Sequence, residues 1–97
     1  MNRWYHPAFE TDLIEASRFL ESQKLGLGSE FLDAVEAAIE TIMRSPHTWR
    51  IWRDGLRRFL IERFNFTIRY QIRNGEVEFL SILHTSRHPD TGLERKS

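Results

Sequence analysis

Phe66-Thr67-Ile68-Arg69-Tyr70-Gln71-Ile72-Arg73-Asn74-Gly75-Glu76-Val77-Glu78-Phe79-Leu80-Ser81-Ile82-Leu83-His84 decides the fold of this chain. Phe66, Ile68, Tyr70 and Ile72 alternate with Thr67, Arg69, Gln71 and Arg73, the period of two that marks a strand buried on one face. Asn74-Gly75 follows, and both residues tolerate the positive φ that a two-residue type I′ turn demands. A second strand then runs from Glu76 to His84. With Arg73 opposite Glu76, a regular register pairs Ile72 with Val77, Tyr70 with Phe79, Ile68 with Ser81 and Phe66 with Leu83 on one face. The other face carries Gln71–Glu78, Arg69–Leu80 and Thr67–Ile82, with His84 at its end. Upstream, Arg57 to Arg63 reads as a further strand, with Phe59 and Ile61 on one side and Leu60 on the other.

The first half of the chain has a different period. Phe9, Leu13, Ala16 and Leu20 recur at steps of four, three and four, and Ile14 widens the stripe, which predicts an amphipathic helix. Pro7 suits its first turn, where a missing N–H has no intrahelical partner to lose. Gly26-Leu27-Gly28 breaks the pattern, and Ser29 is the expected N-cap of a second helix. That helix carries Phe31, Leu32, Val35, Ala38, Ile39, Ile42 and Met43 until Pro46 stops it. So short a break makes the two helices an antiparallel hairpin. Residues 2–6 suggest a short first strand, and residues 45–55 read as a loop. The fold class is α+β: an N-terminal two-helix hairpin packed on one face of a small, mostly antiparallel sheet of three to four strands. Residues 1–97 are expected to form one domain.

No third helix remains to cover the other face of the sheet. That face is therefore expected to lie bare, with Leu80 and Ile82 beside Arg69 and His84, as a surface for a partner; the alternative is a sheet shielded by the chain termini. Charge points the same way. Residues 1–45 hold four basic and eight acidic residues, residues 46–97 hold ten basic and six acidic, and twelve of the fourteen basic residues are arginine. Arginine offers a planar fork suited to phosphate and carboxylate, so an anionic partner is the first inference, against a surface whose arginines simply pair with nearby acids. The chain has no cysteine, and no carboxylate–histidine set has ligand spacing, so no metal and no cofactor is expected. No apolar run is long enough to span a bilayer, and residues 1–7 lack the apolar stretch of a signal peptide. A cytoplasmic protein without membrane contact is the expectation.

The chemistry-bearing residues cluster late. His84-Thr85-Ser86-Arg87-His88-Pro89 leaves the last strand close to Arg69. A metal-free ribonuclease needs a base for the 2′-hydroxyl, an acid for the leaving oxygen and cations for the phosphorane; Arg69, His84 and Arg87 are the catalytic candidates under that reading. A strand-end hydrogen bond is the plainer account of His84. Under a binding reading, the candidate contact residues are Arg58, Arg63, Arg69, Leu80, Ile82, His84, Arg87 and His88. Trp49-Arg50-Ile51-Trp52-Arg53 could stack on bases or lie across an acidic peptide, or its indoles could seal the open end of the helix hairpin; Trp49 fits the sealing account, and Trp52 is left open.

Arg57-Arg58-Phe59-Leu60-Ile61-Glu62-Arg63-Phe64-Asn65-Phe66-Thr67-Ile68-Arg69-Tyr70, followed by Ile82-Leu83-His84-Thr85-Ser86-Arg87-His88-Pro89, resembles the RelE/ParE superfamily of bacterial toxins of type II toxin–antitoxin systems. The likeness is closer to the ParE-like, plasmid-stabilisation branch, and the helical half is similar too. The resemblance implies a toxin neutralised by a small cognate antitoxin. It also implies one of two activities: poisoning of DNA gyrase, as in ParE-like members, or ribosome-dependent cleavage of mRNA, as in RelE-like members. Thr67 stands where RelE-type nucleases carry a phosphate-contacting arginine, and Thr91-Gly92 where they carry an aromatic residue. Those departures direct the reading to gyrase poisoning first, mRNA cleavage on the ribosome second, and a non-toxic binding module third.

Overall fold

The computed structural model describes residues 1–95. Its elements are β1 (Asn2–Tyr5), α1 (Pro7–Gln23), α2 (Leu27–Arg44), β2 (Ile51–Arg53), β3 (Leu56–Ile61), β4 (Phe66–Arg73) and β5 (Glu76–His84). The strands form a five-stranded sheet in the order β1-β5-β4-β3-β2. β1 runs parallel to β5, and the other neighbours are antiparallel. The α+β class holds, with five strands where three to four were expected. β1 is the short strand expected at residues 2–6. β2 lies inside the stretch expected as loop, joined to β3 through Asp54-Gly55, whose φ angles of 47° and 77° are those of a tight hairpin turn.

Local chemistry explains the helix ends. His6 caps α1, its Nδ1 accepting from the Ala8 amide at 3.0 Å, and Pro7 follows in the first helical position. The cap of α2 is Gly26 and not Ser29; Gly26 adopts a left-handed φ of 88°. The side chain that satisfies this end comes from α1: the Glu21 carboxylate accepts from the Gly26 amide at 2.9 Å and the Gly28 amide at 3.0 Å. Gly28 permits the close approach, because a Cβ there would lie 2.6 Å from the Ser17 carbonyl oxygen. No helix is long and apolar enough to cross a membrane among the described residues.

The core lies between hairpin and sheet. Phe9, Phe31, Val35 and Ile42 from the helices meet Ile68, Tyr70, Val77, Phe79 and Ile82 from the sheet, all buried. Tyr70 points inward, as its register position predicts, and its hydroxyl donates to the Pro46 carbonyl at 2.7 Å. That bond ties the centre of β4 to the turn that ends α2. Burial pushes the Tyr70 phenol up to about 12.

One feature of the hairpin departs from the regular register. Tyr70 faces Phe79, but Arg69 faces Ser81, so Leu80 is an extra residue on β5. Beyond this bulge every β5 side chain changes face. Ile82 joins Ile68 above the helices, Leu83 sits opposite Thr67 on the other side, and His84 sits opposite Phe66, with ring centroids 5.2 Å apart. The expected pairs Ile68–Ser81, Phe66–Leu83, Arg69–Leu80 and Thr67–Ile82, and the expected place of His84 on the face away from the helices, are corrected accordingly.

Candidate functional site

The sheet face turned away from the helices brings like charges together. Arg58 on β3 lies directly opposite Arg69 on β4, an arrangement that costs energy unless something intervenes. Trp52 on β2 intervenes. Its ring centroid is 4.3 Å from the guanidinium carbons of both Arg53 and Arg58 and 4.8 Å from that of Arg69. Cation–π attraction thus holds three guanidinium groups around one indole. Trp49, by contrast, packs on Phe59 against the core.

The segment after β5 crosses this face. The Arg69 guanidinium donates to the carbonyls of Thr91 and Pro89, the latter at 3.0 Å. Arg53 pairs with Asp90 at 2.8 Å. Further along, the Arg95 guanidinium donates to both carboxylate oxygens of Asp12 on α1. Asp12 also accepts from the Ile82 amide at 3.0 Å, on the edge of β5 that β1 leaves open once it ends opposite Phe79. One carboxylate therefore satisfies a strand edge and anchors the tail.

The expectation of a bare face is corrected by these contacts. Leu80 is 3 % exposed, Ile82 2 % and Arg69 7 %. The bulge turns Ile82 to the helix side, and the tail lies over Arg69. Burial, followed by the proximity of Arg58 and Arg53, holds the Arg69 guanidinium below its ordinary pKa. Its Nε and the Ser81 Oγ across the strand pair are buried with no hydrogen-bond partner.

Four of the sequence-derived candidates do meet. Arg58, Arg69, His84 and Arg87 line a pocket of about 130 Å³, with Thr67, Leu83, Thr85 and Pro89. His84 Nδ1 accepts from the Ser86 amide at 3.1 Å and lies 2.8 Å from the Ser86 hydroxyl. That bonding assigns the proton of the neutral ring to Nε2. The other candidates lie apart. Arg63 is exposed and bonded to Glu30, whose carboxyl it holds below the usual range. His88 is exposed, with Nδ1 accepting from the Asp90 amide at 3.1 Å. Leu80 and Ile82 are buried. Trp52, Arg53, Thr67 and Thr85 complete the site; alternation in Ile51-Trp52-Arg53 and the Asp54-Gly55 turn were the signals that could have placed the first two.

A second concavity of about 450 Å³ opens on the helix side of His84, between α1 and the end of β5. Ala16, Phe19, Phe66, Ile82 and Leu83 give it apolar walls, while Asp12, Glu15 and Arg87 supply charge. Phe19 is 60 % exposed there.

A helical hairpin laid on one face of a five-stranded sheet defines a class of small α+β proteins. A chain described as the chromosomal ParDE TA system from P. aeruginosa shares it, with a TM-score of 0.68, 18 % identity, and coverage of 89 % of this chain and 97 % of that one. No curated protein sequence matches. The model of the family described as the ParE toxin of the type II toxin–antitoxin system, parDE, matches residues 4–89. The chain belongs to the ParE toxin family.

Proposed function

We propose that this chain is the toxin of a two-gene pair, that it acts in the cytoplasm by binding and poisoning DNA gyrase, and that a cognate antitoxin neutralises it by covering its surface. The observation that favours binding over cleavage is the state of Arg69. An mRNA endonuclease built on Arg69, His84 and Arg87 needs a guanidinium open to the phosphorane and a ring nitrogen free to take a proton. Arg69 is buried with its terminal nitrogens bonded to tail carbonyls, and His84 Nδ1 is already engaged by the Ser86 amide. Gyrase as the target rests on the ParE-like resemblance. The groove beside Phe19 is the antitoxin's docking site: an apolar trough with a charged rim suits the apolar stripe of an amphipathic helix.

Induction of the chain in bacteria without its partner tests the reading. Filamentous cells with broken or relaxed DNA are expected. Rapid translation arrest with cut messages would replace it with the endonuclease, and normal growth at high expression would leave a binding module only. Co-expression of a short neighbouring gene's product should restore growth and co-purify with the chain.

A further inference from the structure

Three guanidinium groups that crowd together usually do so around carboxylates. Here Arg53, Arg58 and Arg69 gather on an uncharged indole, and among the described residues Asp90 is the one carboxylate within ion-pair distance of any of them. A cation–π contact orients a guanidinium without neutralising it, so the cluster keeps positive charge for something not on the chain. The adjoining pocket continues the theme. Arg87 adds a fourth guanidinium that has no ion pair among the described residues, Thr67 and Thr85 add hydroxyls, and no acid lines the walls. His84 also lines the pocket, with its Nδ1 engaged by the Ser86 amide.

We propose that the pocket bounded by Arg58, Thr67, His84, Thr85 and Arg87, with Arg69 beneath it, is an oxyanion site that takes a single phosphate group. Phosphate is favoured over carboxylate by the number of donors. A carboxylate has two oxygens, whereas a phosphate has at least one more and carries greater charge at neutral pH. Size sets the other bound. The pocket's volume of about 130 Å³ falls well below the ~300–1,000 Å³ of sites that hold whole small molecules. A nucleobase has no platform beside it, since Arg53 and Arg58 already lie over Trp52. Arg69 acts from below as fixed charge, crowded by Arg58 and Arg53, and a bound anion relieves that crowding. Binding here involves no bond cleavage.

Nuclear magnetic resonance of the full chain at low ionic strength tests the site through its arginine Nε–H and backbone amide signals. Inorganic phosphate is expected to shift Arg58, Arg87 and Thr85 saturably, with acetate and chloride at matched ionic strength weaker by at least ~10-fold. Arg58→Gln and Arg87→Gln, both at exposed positions, should each weaken phosphate by about 10-fold or more while leaving the remaining spectrum folded. A short single-stranded DNA lacking terminal phosphates separates the sources. Matching shifts assign the site to a nucleic-acid backbone, and phosphate binding without them assigns it to free phosphate or a monoester. Equal shifts with acetate, shifts spread to Arg18 and Arg44, or indifference to both substitutions would overturn the proposal.

Discussion

Tyr70 shows how much one hydroxyl can organise. It sits at the centre of the hairpin with no exposed surface, and its bond to Pro46 joins sheet and helix end. Tyr70→Phe leaves a carbonyl without its donor and should lower stability by about 1 kcal/mol in urea unfolding. The raised phenol also sets a pH window. The unfolded phenol ionises near ~10 and the folded one near about 12, so the unfolded chain releases its proton first as pH rises. Stability is full below the unfolded value and falls through this interval. A tyrosinate absorbance titration should show a late step that Tyr70→Phe lacks. Phe19 is the opposite kind of residue, 60 % exposed on α1. Phe19→Gln should change stability by no more than about 0.5 kcal/mol yet weaken antitoxin capture by at least ~10-fold in a titration calorimetry comparison.

At the scale of elements, two junctions carry the architecture. The first is the crossing of α1 and α2 at Gly28. Alanine normally gains about 0.8–1 kcal/mol over glycine in a helix, but here its Cβ would meet the Ser17 carbonyl at 2.6 Å. Overpacking of that kind costs about 1–3 kcal/mol, so Gly28→Ala should lower the urea midpoint. The second junction is Asp12, which binds the open edge of β5 and the tail together. Asp12→Asn keeps an amide oxygen for Ile82 but loses the charge that holds Arg95. Hydrogen exchange should then speed up at Arg87, Thr91 and Leu93, whose amides bond within the tail, while Ile68 and Val77 remain protected.

At the scale of the whole molecule, charge is divided between two surfaces. Acidic residues predominate in the helical half and arginines in the sheet half, and the tail ties the two by pairing Arg95 with Asp12. The proposed antitoxin groove and oxyanion pocket lie on either side of His84, which lines both. An antitoxin bound in the groove should therefore perturb the His84 and Arg87 signals as well as Phe19. Absence of any change at His84 in the complex would place the antitoxin elsewhere on the surface.

Periodicity determined the two helices, the strand expected at 57–63 and found at Leu56–Ile61, the hairpin strands after it and the inward face of Tyr70, and residue type determined the turn at Asn74-Gly75, because each depends on side chains a few positions apart. The exit of the last strand toward Arg69 was legible for His84 and Arg87, which share a pocket lining with it, whereas Arg58 came beside Arg69 through the β3–β4 register. Tertiary structure decided the rest. The bulge at Leu80 depends on how β5 meets both β4 and α1, and by adding one residue it moved Ile82 and His84 to the helix side. Trp52's place among three arginines required β2 to dock beside β3. The cover over Arg69 comes from Pro89 and Thr91 in the tail, which Arg95 ties to Asp12 from far along the chain. No local pattern carries a contact of that range, since it exists only once both layers have closed on each other.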